Sequence, residues 1–258
     1  MSTIIYPSPI FGPVRSRRLG ISLGINLMPK DGKVCNFDCI YCECGFNKDY
    51  PPFSHRPSRE EVAEALQKQL QTMCQEGELP DVLTFAGNGE PTLHPDFPEI
   101  INDTIFLRNQ YCPQAKVAVL SNATRVPNES IRQTLMLVDD NIQKLDTIDE
   151  AYIRMVNRPT SHYNVNEIIE GLKSFKGHVI IQTMFLHGYI NGKDVSNIDA
   201  SFVNPWLDAL LEIAPKQVMI YTIDRETPHQ DLQKAQPEEL EGIAELLRGK
   251  GLKVSVSY

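Results

Sequence analysis

The chain carries three cysteines within eight residues, in the run Cys35-Asn36-Phe37-Asp38-Cys39-Ile40-Tyr41-Cys42. A C-x3-C-x2-C loop can direct three thiolates at one point, but it cannot supply a fourth by itself. A cubane iron–sulfur cluster normally takes four cysteine thiolates, one for each iron. Three protein thiolates would therefore leave one iron free to bind a group that is not part of the protein.

The same cysteines are compatible with two other interpretations. Clustered cysteines often bind structural zinc, and Cys44 offers a fourth thiolate. Zinc ligands usually come as two pairs separated by a longer stretch, whereas these four cysteines fall within ten residues. Spacing alone therefore favours an iron–sulfur cluster and leaves a zinc site, or no metal, as the alternatives.

The sequence predicts a protein of the reducing cytoplasm that does not enter a membrane. Residues 1–20 contain prolines, glycines and arginines but no sustained apolar stretch, so they do not resemble a signal peptide. The longest apolar run, residues 179–186, is interrupted by Gln182 and Thr183 and is too short to span a bilayer. We therefore expect the thiols to stay reduced.

Length and charge predict one domain with a substantial core. The chain has 258 residues, of which 41% are hydrophobic, and this length suits a single α/β barrel. We expect one domain over residues 1–258, with residues 1–18 as an N-terminal extension and residues 252–258 as a terminal strand. The formal net charge of −8 opposes broad binding to nucleic acids, which needs a positive surface.

Predicted strands and helices alternate along the chain, which is typical of βα repeats and a parallel sheet. Before the terminal strand, the predicted strands are residues 19–27, 81–86, 116–120, 142–145, 178–186 and 217–223. The predicted helices are residues 58–77, 96–109, 129–138, 150–156, 165–175, 203–213 and 237–247. Residues 187–197 are predicted to form a polar loop. Six βα units and a terminal strand predict an α/β fold, a partial (β/α)6 TIM-like barrel with parallel strands.

A second motif follows the second predicted strand, in the run Gly87-Asn88-Gly89-Glu90-Pro91-Thr92. In parallel barrels, the loops that leave the carboxyl ends of the strands form the active site. The glycines alone are equally compatible with an ordinary tight turn. Glu90, however, adds a carboxylate at a strand end, where it and the neighbouring backbone can receive an ammonium group.

Together the two motifs resemble the signature of the radical S-adenosylmethionine (SAM) enzymes. An aromatic residue, Tyr41, stands directly before the last cysteine, and the second run is similar to the Gly-Gly-Glu-Pro motif, with Asn88 where the common form has glycine. Further similarity lies in Gly12-Pro13, residues 16–20, 84–87 and 157–159, and Thr222 with residues 224–225. These segments resemble the small radical SAM proteins similar to wyosine-type tRNA-modifying enzymes. The resemblance covers most of the chain.

The resemblance implies a [4Fe-4S] cluster bound by Cys35, Cys39 and Cys42, with SAM on the remaining iron. In that family an electron from the cluster cleaves SAM to a 5′-deoxyadenosyl radical, which abstracts hydrogen from a substrate. The residues implied to bind the cofactor are Tyr41, Gly89, Glu90, Pro91, Ser121, Asn122, Asp146 and Thr183.

The resemblance also assigns roles to these residues. It implies that Tyr41 lies beside the adenine and that Gly89 and Glu90 face the methionine amino group. Ser121 and Asn122 match a position that contacts the ribose or carboxylate of SAM, with a simple polar turn as the alternative.

Three later segments match less specific positions of the family. Asp146 and Thr183 are candidates for contacts to the ribose or to the substrate. Backbone near residues 221–223 is a candidate for pairing with the adenine.

The substrate stays open at this stage. The acidic balance and the lack of an added RNA-binding module favour a small molecule or a peptide. The wyosine-type resemblance makes a tRNA base the alternative substrate, and a zinc-stabilised binding protein is the alternative outside enzymes. A basic run ahead of the cysteines, Arg15, Arg17 and Arg18, is either a solvated turn or a site for carboxylate or phosphate.

Cluster chemistry also requires an electron donor such as flavodoxin or ferredoxin. Cys44, which follows the cluster motif, is either a hydrogen donor to the substrate or a thiol that merely lies near the site.

Overall fold

The structure is a computed structural model and describes residues 3–16 and 20–258. Its strands are β1 (Ile10–Ser16), β2 (Gly20–Ile25), β3 (Val82–Phe85), β4 (Lys116–Ser121), β5 (Asp140–Lys144), β6 (Ile180–Met184), β7 (Leu186–Ile190), β8 (Lys193–Asp194), β9 (Gln217–Tyr221), β10 (Leu232–Lys234) and β11 (Val254–Ser257). Its helices are α1 (Arg59–Glu76), α2 (Phe97–Tyr111), α3 (Glu129–Leu135), α4 (Glu150–Val156), α5 (Val165–Lys173), α6 (Ala200–Ile213) and α7 (Pro237–Gly249). The predicted alternation of strands and helices is confirmed, with ends that shift by a few residues.

Eight strands form one sheet in the order β1-β2-β3-β4-β5-β6-β9-β11. From β2 to β11 every neighbouring pair is parallel. In the part of the chain that the structure describes, β1 and β11 end the sheet and do not pair with each other, so the barrel is partial and not closed. The predicted α/β fold, with six βα units and a terminal strand, is confirmed.

Two segments differ from the sequence prediction. The predicted N-terminal extension contributes strand β1, which pairs antiparallel with β2. Residues 187–197 form a hairpin of β7 and β8 instead of a polar loop, and β10 joins β7 to complete a small antiparallel sheet. Gly12 and Pro13 interrupt the strand pattern of β1 in the sequence, and an edge strand tolerates them because one side of its backbone needs no partner. Pairing also covers the otherwise open edge of β2.

The inner parallel strands, β3 to β6 and β9, are largely buried on both faces. On one face Leu83, Val117 and Ile181 belong to the core shared with the helices. The opposite, concave face packs its own apolar cluster of Val82, Ala118, Ile142, Ile180 and Met219. Strands buried on both faces read as near-continuous apolar runs, which is why the sequence predicts them well. Because the strands are parallel, the loops after their carboxyl ends gather at one edge of the sheet.

Helix α1 shows how local sequence sets a boundary. The Ser58 hydroxyl accepts from the Glu61 N–H at 3.2 Å, and the Glu61 carboxylate accepts from the Ser58 N–H at 2.6 Å, which forms a capping box. The helix ends at Gly77, which takes the left-handed conformation at φ 76° that glycine tolerates. Neither α1 nor any other helix within residues 3–16 and 20–258 has the length and apolar composition needed to cross a membrane.

We predict that Ser58→Ala lowers the free energy of unfolding by about 1 kcal/mol, because the Glu61 N–H then loses its capping acceptor. Denaturant unfolding followed by circular dichroism measures the change. Thr72→Ala is the control, since it removes a hydroxyl from the exposed side of the same helix without touching the cap. Equal stability of the Ser58→Ala variant and the wild type would show that the cap does not stabilise the fold.

Candidate metal centre

The three motif cysteines lie in the long loop between β2 and α1. All three are free thiols; Cys39 is buried, and Cys35 and Cys42 are partly exposed. Backbone hydrogen bonds attach this loop to the carboxyl end of α4: the Asp38 N–H donates to Asn157 at 3.0 Å and the Ile40 N–H donates to Val156 at 3.0 Å. The loop is thus held to the barrel from within the cysteine motif.

A two-bond bridge joins the cysteine loop to the Gly-Glu-Pro loop. The Val34 N–H donates to the Asn88 carbonyl at 2.9 Å, and the Glu90 N–H donates to the Val34 carbonyl at 3.1 Å. Gly89 lies between these bonds at φ 135°, and a Cβ at this position would overlap the Val34 carbonyl oxygen. Glycine at residue 89 is therefore required for the two motifs to meet.

The Glu90 carboxylate ties this loop to the end of β4. It is 2% exposed, and its Oε2 accepts from the Asn122 N–H at 2.6 Å. Its Oε1 accepts from the backbone N–H (3.1 Å) and the hydroxyl (2.6 Å) of Thr92. Burial raises the pKa of Glu90, while these donors counteract the rise. The side chain organises the loop as well as carrying a negative charge.

Asn88, the departure from the Gly-Gly-Glu-Pro pattern, has a structural role. Its side chain accepts from the Tyr6 N–H at 2.8 Å and donates to the carbonyls of Tyr6 (2.9 Å) and Pro29 (2.8 Å). Asn88 is completely buried, so these bonds replace those that it would make to water. The amide therefore fastens the N-terminal segment to the motif loop.

Two asparagines direct amide groups at cysteine sulfurs from distant parts of the chain. The Asn122 Nδ2 lies 3.6 Å from the Cys35 Sγ, and the Asn157 Nδ2 lies 3.6 Å from the Cys39 Sγ. The Phe37 N–H donates to the Cys35 Sγ at 3.4 Å. Donors of this kind stabilise negative charge on sulfur. Burial nevertheless outweighs these donors and raises the pKa of both Cys35 and Cys39.

Cys44 follows Cys42 by two residues and is buried. The neighbouring Cys44 thiol lowers the pKa of Cys42, and Lys33 assists while burial opposes. Cys42 in turn raises the pKa of Cys44, whose Sγ donates to the Gly87 carbonyl at 3.5 Å. Burial raises the pKa of Cys39 to about 11. Cys44 therefore joins the cysteine loop to the start of the run Gly87-Asn88-Gly89-Glu90-Pro91-Thr92.

A buried polar network surrounds Tyr41. Its hydroxyl donates to the Asp146 carboxylate and accepts from the Asn157 amide at 2.9 Å and from the Lys144 ammonium at 3.0 Å. Lys144 also donates to the Tyr221 hydroxyl at 3.3 Å and lies 3.5 Å from Asp146. Burial raises the pKa of Tyr41 well above its usual value, so the hydroxyl keeps its proton. This network links the cysteine loop to the carboxyl ends of β5 and β9.

The structure brings most of the predicted site residues together, with one exception. Contacts connect the cysteine loop to Glu90 and Asn122 on one side and to Asp146 on the other. Ser121, at the end of β4, accepts from the Ala123 N–H at 3.1 Å and is buried. Thr183 instead lies in β6 with no exposed surface, and its hydroxyl donates to the Leu145 carbonyl at 2.8 Å within the core.

Sequence reasoning missed Lys33 and Lys144 and gave Asn157 no role. Isolated lysines carry no pattern; Lys33 becomes notable because it is buried in the cysteine loop, and Lys144 because it is largely covered and donates to Tyr41. The sequence offered one indication that Lys33 belongs to the site, namely that it lies two residues before Cys35. Asn157 belongs to a segment with family resemblance, but its contact with Cys39 joins residues 118 positions apart.

The donor set fits an iron–sulfur cluster. A four-iron cluster takes one thiolate per iron, so its ligands need not converge on one ion. Within residues 3–16 and 20–258, no three His, Cys, Asp or Glu side chains come together closely enough to chelate a single metal ion. Free thiols that receive hydrogen bonds from Asn122 and Asn157 are suited to an anionic thiolate cluster.

Comparison with known proteins agrees with this geometry. Residues 30–200, which include the cysteine loop, the Gly-Glu-Pro loop and Asn157, match the radical SAM superfamily. The chain belongs to the radical SAM superfamily. It is 32% identical over 223 residues to a UPF0026 protein of Helicobacter pylori, covering 85% of this chain and 67% of that protein. A UPF0026 protein of Methanocaldococcus jannaschii is 34% identical over 182 residues, which cover 68% of this chain and 53% of that protein. This radical SAM protein therefore spans about two thirds to half of the length of these relatives.

Solved structures of the superfamily share its fold. A radical SAM methyltransferase from Sphaerobacter thermophilus has a TM-score of 0.67 at 13% identity and covers 92% of this chain and 66% of that chain. SuiB from Streptococcus suis bound to S-adenosylmethionine has a TM-score of 0.65 at 13% identity. The match covers 91% of this chain and 50% of the SuiB chain. The partial barrel of this chain is thus the fold found in those radical SAM proteins.

We predict that Gly89→Ala destabilises the protein by about 1–3 kcal/mol, because alanine disfavours φ 135° and its Cβ would meet the Val34 carbonyl. Denaturant unfolding measures the loss. Gly242→Ala is the matched control: this glycine lies within α7, and a methyl group added to it would meet no atom within 4 Å. Alanine there should stabilise the helix by about 0.5–1 kcal/mol. An unchanged midpoint for Gly89→Ala would contradict the proposed role of the bridge.

Proposed function

We propose that this protein binds a [4Fe-4S] cluster through Cys35, Cys39 and Cys42, binds SAM, and is a radical SAM enzyme. The observation that supports the proposal is the backbone bridge between Val34 and the Gly89-Glu90 loop, which joins the residue directly before Cys35 to the second family motif. Superfamily membership supports an enzyme, and it leaves the reaction open. When bound, the cluster and SAM supply a 5′-deoxyadenosyl radical for abstraction of a hydrogen atom from the substrate.

The chain's own residues would orient the cofactor and exclude water. Four contact candidates from the Gly-Glu-Pro and β4 loops are Gly89, Pro91, Ser121 and Asn122. Glu90 uses both carboxylate oxygens for internal hydrogen bonds, but a carboxylate has about four lone-pair positions, so it can still accept from an amino group. Glu90 therefore remains the proposed partner of the methionine amine.

On the other side of the cysteine loop, Tyr41 and Asp146 are proposed to lie beside the adenine and the ribose. Their mutual hydrogen bond uses the Tyr41 hydroxyl, and the Lys144 ammonium lies over one face of the ring at 5.0 Å from its centre, so adenine would stack on the opposite face. Lys144 and Asn157 hold both side chains in place through their own hydrogen bonds. Thr183 is the weakest of the proposed contacts because its hydroxyl is used within the core.

A small molecule or a peptide is the proposed substrate class. The net charge of −8 opposes binding to a phosphate backbone, and the fold neighbour SuiB has been solved with its precursor peptide SuiA. Modification of a tRNA base, the second candidate, is supported by the wyosine-type resemblance and the basic run. Of that run, Arg15 is exposed on β1, while Arg17 and Arg18 lie outside the described residues. A flavodoxin or ferredoxin in the cytoplasm is the proposed electron donor.

The first test is reductive cleavage of SAM by the full chain. The protein is reconstituted with iron and sulfide without oxygen and reduced with dithionite in the presence of SAM, and 5′-deoxyadenosine is quantified by chromatography. We expect product from the wild type and none from Cys39→Ala, because loss of one of three thiolates prevents cluster assembly. Cys74→Ala is the control, since this exposed cysteine lies on α1 outside the motif.

Three results would count against the proposal. A Cys39→Ala variant with a full complement of iron would remove this residue from the ligands. A reconstituted wild type that holds iron but never forms 5′-deoxyadenosine would contradict the radical chemistry. A wild type that binds zinc in preference to iron would make the zinc-stabilised protein the leading interpretation.

We predict that Glu90→Gln weakens SAM binding about tenfold or more without loss of iron. A glutamine lacks the negative charge, and its amide nitrogen would face the N–H of either Asn122 or Thr92. Calorimetric titration of the reconstituted protein with SAM gives the Kd. Glu99→Gln, on the exposed side of α2, is the matched control. The same Kd for Glu90→Gln and wild type would exclude Glu90 as the partner of the amine.

A further inference from the structure

Lys33 is a buried cation with a long ion pair to Asp38. The side chain is only 1% exposed, and its Nζ donates to the Gly45 carbonyl at 2.7 Å. Among the described residues the carboxylate within ion-pair distance is Asp38, whose Oδ1 lies 3.7 Å away. Asp38 is also shared, because its Oδ2 lies 3.8 Å from the guanidinium of Arg158.

Such a position is costly unless more negative charge lies nearby. Transfer of an ammonium group out of water is strongly unfavourable, and a neutral carbonyl does not cancel its charge. Asp38 alone is a weak counterion because the separation is long and part of its charge is used by Arg158. The missing negative charge is therefore expected close to the Lys33 ammonium.

The cysteine sulfurs are the groups able to supply that charge. Lys33 precedes Cys35 by two residues, and its Nζ donates to the carbonyl of Gly45, whose own N–H donates to the Cys42 carbonyl at 2.9 Å. Its second polar neighbour, Asp38, directly precedes Cys39. The Lys33 ammonium thus lies within the loop whose three thiolates would hold a cluster.

We propose that Lys33 is a positioning residue that serves as the buried counter-charge of the cluster and makes the cluster easier to reduce. This inference rests on the proposed function. Reduction transfers one electron from the proposed flavodoxin or ferredoxin to the cluster and breaks no bond. The added electron makes the cluster more negative, so a nearby fixed cation stabilises the reduced form more than the oxidised form. Asp38, one residue before Cys39, acts in the opposite direction.

The test is a redox titration of the reconstituted full chain without SAM, in which the reduced cluster is followed by electron paramagnetic resonance. Lys33→Met keeps a long side chain and removes the charge. We expect its ratio of reduced to oxidised cluster, at a fixed applied potential, to fall about tenfold, which corresponds to a midpoint about 59 mV lower for a one-electron couple. Lys48→Met, on the exposed part of the same loop, should leave the midpoint unchanged.

The Asp38→Asn variant is an independent test, because it should shift the midpoint potential of the cluster in the opposite direction. It removes the nearest carboxylate charge from Lys33 while the amide oxygen can still accept from the Asn47 N–H, which donates to Asp38 at 2.7 Å. We expect the midpoint to rise in this variant. If Lys33→Met fails to retain iron, the direction of the Asp38→Asn shift decides, and an unchanged or lower midpoint overturns the proposal.

The outcomes separate this inference from the proposed function. A wild type that assembles no iron–sulfur cluster would reject both together. A wild type that holds the cluster and cleaves SAM, with Lys33→Met titrating at the same midpoint, would reject only the role of Lys33. A lower midpoint in Lys33→Met with normal iron content supports the counter-charge, because a merely structural role would change iron content or stability and not the potential.

Discussion

The bridge between Val34 and the Gly-Glu-Pro loop is the interaction on which the candidate site depends. Two backbone hydrogen bonds hold the start of the cysteine loop against residues 88–90. They form only because Gly89 has no Cβ and adopts a positive φ. The other attachments of the cysteine loop run to the end of α4, to Asn122 after β4 and to Asp146 after β5. The bridge thus turns two separate strand-end loops into one surface, with the thiols on one side and the Glu90 carboxylate on the other.

Around that surface the chain concentrates buried charge. Glu90 and Asp146 supply carboxylates, and Lys33 and Lys144 supply ammonium groups, all with little exposure. Charged groups buried at this density are rarely placed for stability, because replacement by apolar residues is often neutral or stabilising. Their concentration at the carboxyl ends of parallel strands is instead typical of an active site or a site that binds a charged ligand. Membership of the radical SAM superfamily gives this arrangement its chemical context.

The N-terminal segment binds Asn88, the residue that departs from the Gly-Gly-Glu-Pro pattern. Asn88 replaces a glycine of the common pattern, and its amide binds the backbone of Tyr6. The Tyr6 hydroxyl in turn donates to Glu43 in the cysteine loop at 3.1 Å, and Arg225 reaches both side chains. Burial, with the nearby Glu43 charge, raises the pKa of Tyr6 to about 12. The segment before β1 is therefore fastened to the site as well as to the edge of the sheet.

The parallel strands, the helix boundary at Ser58, the cysteine loop and the Gly-Glu-Pro loop could be predicted from the amino-acid sequence. Each of these depends on a repeated apolar pattern or on residues close in sequence, where physical causes act locally. The pairing of β1, the burial of Lys33, the place of Lys144 beside Tyr41 and the contact of Asn157 with Cys39 could not be predicted without the folded chain. These depend on single side chains or on segments far apart in the chain, and their positions follow from how the strand-end loops pack together. A local sequence pattern therefore cannot predict how these loops pack.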